Sequence, residues 1–292
     1  MLMDAVERGE LAPDDALVRH LDLCLGCQAC ETACPSGVTY AAHLEHTRAR
    51  LIDAPRPWRE RLLTALLVRG MAAPPWLSAL GFALTRRLAA ARHGLIAPFP
   101  APRWLRPGLE LLDALPAASA PPPSLVPARG VRRARVGLLL GCLARHAFAQ
   151  THDAAARVLA EAGCEVVIPP EQGCCGALAS HGGQRAQAQA QARRLVATFE
   201  RAGPLDALIV DAAGCGSAMQ HYGDLLADDP VWAERAAALG AKTRDVLDWL
   251  HELGAPPARR ALDLRVAYHE ACHLHHAQGV RQGPAELLAA LP

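Results

Sequence analysis

Four cysteines, Cys24, Cys27, Cys30 and Cys34, stand in the run C-L-G-C-Q-A-C-E-T-A-C-P. This is C-x2-C-x2-C-x3-C-P, a spacing that suits a [4Fe–4S] cluster. Three thiolates two residues apart each reach one iron of a cubane, and the fourth serves the other cluster where two are present. Zinc is the competing metal. Structural zinc sites, however, usually pair two C-x2-C arms across a longer loop. Four thiols within eleven residues, ending in Cys-Pro, fit a cubane better. A disulfide framework is disfavoured, because the N-terminus M-L-M-D-A-V-E-R-G-E lacks the apolar core of a secretory signal. The chemistry expected is electron transfer, with a second cluster nearby.

The chain has 292 residues, ten cysteines and a net charge of +1. Its length predicts two domains or a little more. The near-zero charge gives no bulk field for nucleic acid or anionic membrane. Lys242 is the only lysine beside abundant Arg and Ala, a bias that carries no functional reading. Ten cysteines without an export signal imply reduced thiols in the cytoplasm, where they serve as ligands or catalytic groups. The most apolar stretch, Gly70 to Leu84, is shorter than the roughly 20 residues of a membrane span. Pro74 and Pro75 interrupt it, and Arg86 and Arg87 close it. It reads as a partly buried helix, with a docking face for a partner or membrane surface as the alternative.

The elements around these cysteines follow from apolar periodicity. Residues 1–55 read as helix, cysteine loop, helix. Residues 56–130 read as a helical connector broken by proline, and 117–130 as a linker by composition. Beyond it, short apolar strands at Arg135–Leu140, Glu165–Ile168 and Ala207–Asp211 alternate with helices at Ala149–Ala162 and Gln184–Arg201. Further helices are expected near 216–227, 231–239 and 244–253, and a fourth strand at Arg265–Tyr268. Such alternation means a parallel α/β sheet, so the fold class is a multidomain α+β chain. Ligands of open parallel sheets bind at the carboxyl ends of the strands. Cys142, Cys174, Cys175 and Cys215 each follow a strand and should converge there as a metal site. Cys164 precedes a strand and reads as structural. At an offset of 130 residues, Val136-Gly-Leu-Leu-Leu-Gly-Cys142 aligns with Val266-Ala-Tyr-His-Glu-Ala-Cys272. Residues 131–262 therefore form one cysteine-rich α/β unit, and 263–292 begin a second copy.

H-L-D-L-C-L-G-C-Q-A-C-E-T-A-C-P-S-G-V-T-Y at 20–40, Q-G-C-C-G-A-L-A-S-H-G-G at 172–183, V-D-A-A-G-C-G-S-A-M at 210–219 and Y-H-E-A-C-H-L-H-H-A-Q-G-V at 268–280 resemble the iron–sulfur subunit of glycolate oxidase (glycolate dehydrogenase). More loosely, they are similar to heterodisulfide reductase-type subunits built from cysteine-rich CCG domains. The resemblance implies a helical ferredoxin-like [4Fe–4S] segment followed by CCG domains. It implies flavin-containing partner subunits that oxidise glycolate, and passage of electrons towards the quinone pool at the inner face of the cytoplasmic membrane. It maps Cys24, Cys27 and Cys30 onto one cubane, Cys34 onto another, and Cys142, Cys174, Cys175 and Cys215 onto the CCG motif. Subunits of lactate or anaerobic glycerol-3-phosphate oxidation are the neighbouring reading. A non-enzymatic zinc-binding fragment is the rival from another class.

The sequence departs from that family in places. Only 23 residues precede Cys24, so the other cubane motif is absent, and the second CCG unit stops after Cys272. These ends read as a gene fragment or a wrong start site, with another C-x2-C-x2-C-x3-C-P expected upstream of Met1. The CCG unit ends in a single Cys215, followed by G-S-A-M, so its cluster type stays open between iron–sulfur, zinc and bare thiols. His269-Glu-Ala-Cys-His273 matches H-E-x-x-H, but that zinc motif needs a helix and here it follows a strand-like stretch. His181 reads either as a donor to a cluster sulfur or as a helix cap. No phosphate-loop or dinucleotide fingerprint occurs. The chain itself is expected to be a wire, with no catalytic residue of its own.

Overall fold

The apolar runs of the second half fold into one sheet. A computed structural model describes residues 2–11, 14–52, 73–91, 122–254 and 263–292, with a few scattered positions between them. Much of the connector at 56–130 therefore lies outside the described residues.

The first part is helical: α1 (Leu2–Glu7), α2 (Asp15–Asp22), α3 (Ala29–Thr32) and α4 (Tyr40–Arg50). Asp14 caps α2 by accepting from the Leu17 N–H at 2.7 Å. Leu17, Val18, Leu21, Leu44 and Leu51 form a separate small core here. Five buried apolar side chains are few for an independent domain, so this segment relies on docking against the rest of the molecule.

Helix α5 (Pro75–Ala91) follows. One face, with Trp76, Leu77, Leu80, Leu84 and Leu88, is exposed, so the helix is partly buried as expected. The other face holds the helix in place. Ser78 Oγ lies 3.0 Å from His146 Nε2, Phe82 stacks on the same imidazole, and Arg86 donates to the His146 carbonyl at 2.6 Å. No helix among the described residues is long and apolar enough to cross a membrane.

The α/β unit comprises β1 (Leu125–Val126), β2 (Ala134–Leu139), α6 (Ala144–Ala147), α7 (Ala149–Glu161), β3 (Cys164–Val167), α8 (Ala177–His181), α9 (Arg185–Arg201), β4 (Ala207–Val210), α10 (Ala213–Gln220), α11 (Tyr222–Leu225), α12 (Ala233–Lys242), β5 (Thr243–Asp245) and α13 (Val246–Glu252). A π-turn (His273–Ala277) and α14 (Gly283–Ala289) end the chain. Strand order is β1-β3-β2-β4-β5, parallel except for the antiparallel edge β1. Central strands of such sheets are covered on both faces. Accordingly, Leu139, Leu208 and Val210 pack with α9, Tyr222 and Ala236 on one face. Val136, Leu138, Val166 and Ile209 pack with α7 and Leu250 on the other.

Three expectations need correction. The linker at 117–130 contributes β1, because Val126 packs against the apolar face of the sheet. The fourth parallel strand is polar Thr243–Asp245, which the periodicity assigned to a helix. Arg265–Tyr268 is not a strand. Residues 263–271 run irregularly, with Leu264 and Val266 exposed, and pair with neither edge strand of the sheet.

Asp245 closes β5 and caps α13 through the Leu247 N–H at 2.8 Å. Burial, followed by the Asp248 and Asp211 charges, pushes its pKa up to about 6 against the two backbone N–H donors that lower it. The folded value lies above the unfolded one, so stability falls as pH rises from about 4 through 6. The expected size of the effect is roughly 2–3 kcal/mol. Asp245→Asn keeps a capping oxygen and removes the charge. Its melting temperature should match the parent near pH 4 and exceed it increasingly towards pH 7. A gap that widens on acidification instead would contradict this account.

Candidate functional site

The first cysteine loop hangs between α2 and α3. Gln28 takes φ 60°, the left-handed region, and among the described residues no other non-glycine does so. Such a conformation costs about 1 kcal/mol and is typical of ligand clamps. It folds the chain back between Cys27 and Cys30. The Gly26 N–H points at Cys24 Sγ at 3.5 Å. The Tyr40 phenol is pushed up by burial and then by the nearby Cys24 and Cys30 sulfurs, with a side-chain hydrogen bond to Cys24. Cys34 lies in the turn before α4. The backbone N–H groups of Val38, Ser36 and Gly37 face its sulfur and hold the thiol below its ordinary value. Amides aimed at one atom make a nest for a negative charge. Cys24, Cys27 and Cys34 are partly exposed, and Cys30 is exposed.

The second set gathers at the carboxyl ends of β2, β3 and β4, where the strand order reverses and open parallel sheets bind ligands. Side-chain contacts run Cys142 to Cys174, Cys174 to Cys175, and Cys175 to Cys215. Cys142 is raised by its bond to Cys174 and by burial. Cys174 is lowered by Cys142, but Cys175 and burial push it up to about 12. Cys175 is fully buried and raised by Cys215 and by desolvation, against the lowering bond from Cys174. Four thiols in contact cannot ionise together without a multivalent cation among them. Cys164, at the other end of the sheet as the first residue of β3, is buried and apart; burial raises its thiol. Cys272 is exposed.

Neighbouring groups hold the second set in shape. Gln172 is fully buried: its Oε1 accepts from the Leu140 N–H at 2.7 Å, and its Nε2 donates to the Leu138 carbonyl at 3.1 Å. It thereby ties the loop before Cys174 to the end of β2. Arg145 donates to the Gly141 and Gln172 carbonyls beside Cys142. The Tyr222 hydroxyl, fully buried, donates to the Cys175 carbonyl at 2.6 Å. Gly176 has φ 88°, and a β-carbon there would meet the Ala188 carbonyl at 3.1 Å. That is why glycine follows the cysteine pair. Gln172, Arg145 and Tyr222 escaped sequence reasoning; their only signal was position, within a few residues of a cysteine or on a neighbouring helix.

The two sets face each other across a docked interface. Glu45 on α4 accepts from His181 Nδ1 at 2.7 Å and from Ser180 Oγ at 2.5 Å. Burial of Glu45 opposes ionisation, but these two bonds prevail and hold its carboxyl below its ordinary value. His181 ends α8 and caps nothing; the N-cap of α9 is Gln184. Its Nε2 is buried without a partner. His269 and His273 do not share a helix, so the H-E-x-x-H match lacks the structure that it requires.

Among the described residues, no three or more His, Cys, Asp or Glu side chains are already set round one point as a closed metal cage. The thiols are gathered in contact but strung in a row. Their chemistry nevertheless fits an iron–sulfur group: all-sulfur donors, N–H groups aimed at Cys24, Cys34 and Cys174, and an orphaned imidazole nitrogen nearby.

In the metal-free, reduced protein, alkylation at pH 7 should therefore be ordered. Cys34 should label before Cys142, Cys174 and Cys175, because the thiolate is the nucleophile. Peptide mass spectrometry over time reads the order. Labelling of Cys175 as fast as Cys34 would contradict the electrostatics described.

Residues 136–220 match the family model described as a cysteine-rich domain (CCG). The chain is 35% identical to the probable glycolate oxidase iron–sulfur subunit of Bacillus subtilis (strain 168), over 99% of this chain and 67% of that protein. It is 32% identical to the glycolate oxidase iron–sulfur subunit of Escherichia coli (strain K12), over 89% of this chain and 60% of that protein. Lactate utilization protein A of Bacillus subtilis (strain 168) is 30% identical over 53% of this chain and 64% of its own length. The chain thus spans roughly three fifths to two thirds of the relatives that it matches most fully. No solved structure matches it. With the match running through both cysteine sets, the chain belongs to the family of glycolate oxidase iron–sulfur subunits.

Proposed function

We propose that this chain is the iron–sulfur electron-transfer subunit of a dehydrogenase complex that oxidises glycolate or a related 2-hydroxy acid. The observation that carries the reading is the pairing of two sulfur sets, one with backbone amides aimed at Cys34 and one built round the buried Cys174–Cys175 pair, in a chain similar throughout to iron–sulfur subunits. Cys24, Cys27 and Cys30 would hold one [4Fe–4S] cluster, and Cys34 would serve a second. Cys142, Cys174, Cys175 and Cys215 would hold a further iron–sulfur or zinc centre. Such a cluster, when bound, supplies one-electron relay. The chain's own residues bind and shield it. Gly26 and Gln28 shape the loop, the amides after Cys34 stabilise a thiolate, and Gln172 and Tyr222 fix the cysteine pair.

Flavin-bearing partners would take the hydride from the substrate, and the quinone pool at the inner face of the cytoplasmic membrane would receive the electrons. In domain terms, 1–55 would be the cluster segment, 56–130 the connector, 131–262 the CCG domain and 263–292 the start of a second unit. The partial similarity to lactate utilization proteins favours lactate as the second substrate reading.

Anaerobic reconstitution tests the centre. The parent should bind iron with acid-labile sulfide and give a paramagnetic signal on reduction. Cys27→Ser should lose most of that signal, and Cys34→Ser less. Zinc without sulfide, or parental iron in Cys27→Ser, would refute the assignment. In dye-linked assays, the purified chain should not turn over glycolate until a flavoprotein partner is added. Turnover by the chain alone would contradict the division of labour.

A further inference from the structure

The segment read as the start of a second CCG unit makes contacts on both sulfur sets at once. His273 Nε2 lies 2.9 Å from the Gly26 carbonyl, between Cys24 and Cys27. A carbonyl only accepts, so this nitrogen carries the proton. The same ring faces the other set. A β-carbon on Gly214, the residue before Cys215, would stand 3.3 Å from His273 Nδ1. The His181 ring lies 5.4 Å away, centroid to centroid, and is itself fixed by Glu45.

Two neighbours in the same segment repeat the pattern. His276 Nδ1 lies 2.8 Å from Thr32 Oγ1 on α3, the helix of Cys30. Gln278 Nε2 donates to the Ala213 carbonyl at 2.9 Å, at the start of the helix of Cys215. The backbone between these contacts is a single π-turn, a form that recurs at functional sites. A strap held at both ends constrains both ends. When one cysteine set closes on its metal, the backbone that positions the strap becomes fixed, and so does the loop of the other set.

We infer that His273 is a positioning residue shared by the two sulfur sites, and that through it occupancy of the CCG cysteines stabilises the cluster held by the Cys24–Cys34 loop. The inference rests on the ligand assignment proposed above. It makes two commitments: the Nε2–H donor matters more than the ring, and the effect vanishes when either site is gone.

The test uses the full chain, loaded anaerobically with iron and sulfide. Loss of iron to a ferrous chelator is followed by the decay of the reduced-state paramagnetic signal that Cys27→Ser abolishes. His273→Phe keeps the ring and removes the donor; it should release this iron about tenfold faster and shift the midpoint potential of the signal. His273→Gln restores a donor and should return the rate towards the parent, which a mere packing role would not. Cys215→Ser should also speed release in the parent, yet add nothing in the His273→Phe background, since coupled sites are non-additive. Parental release and potential in His273→Phe, or additive effects of the two substitutions, would overturn the coupling while leaving the ligands standing. Absence of any Cys27-dependent signal in the parent would overturn the ligand assignment, and this inference with it.

Discussion

One guanidinium joins the N-terminal helices to one another and to the α/β unit. Arg48 donates from Nη2 to the Leu21 and Cys24 carbonyls at 2.6 and 2.7 Å, and from Nη1 to the His181 carbonyl at 3.0 Å. The first two acceptors are the last turn of α2 and the first residue of the cysteine loop, and the third is the end of α8. Helix ends leave such carbonyls without partners, and a charged donor satisfies them more strongly than a neutral one. The contact closes directly onto backbone. Gly183 has φ 77°, and a β-carbon there would stand 2.5 Å from the Arg48 carbonyl oxygen. With so small an apolar core of its own, the N-terminal segment has its position set by this contact together with the Glu45 bonds to His181 and Ser180.

The placement of sulfur follows from the sheet in the same way. Parallel strands point their carboxyl ends in one direction, so loops after β2, β3 and β4 deliver their cysteines to one edge without any local signal. Electrostatics then divides the labour between the sets. The exposed loop surrounds Cys34 with amides and favours a thiolate in advance. Burial and mutual contact favour neutral thiols at Cys142, Cys174 and Cys175, so a metal bound there would release protons.

Much of this was legible in the sequence. Val-Gly-Leu-Leu-Leu, Glu-Val-Val-Ile and Ala-Leu-Ile-Val are apolar runs too short for helices, and each became a central strand within a residue or so of its expected ends. The convergence of Cys142, Cys174, Cys175 and Cys215 followed from that alternation. What was hidden depended on partners distant in the chain. Leu125–Val126 sits among prolines and becomes a strand only because β3 offers it a ladder. Thr243–Asp245 is polar and resembles the start of a helix until β4 lies beside it. Arg265–Tyr268 had the right composition but pairs with no strand. Arg48, Glu45 and Gln172 carry no motif; each acts on a residue 24 or more positions away.

The strap over the cysteine loop also fixes a temporal order. His273 and the Gly26 carbonyl that it holds are 247 residues apart. At about 5–20 residues per second, the ribosome exposes the loop tens of seconds before the imidazole that will brace it. During that interval the four thiols of the nascent loop are accessible to scavenging metals and oxidants. A metal bound by this loop would thus be best delivered once residues 273–278 have emerged and can fold back over it.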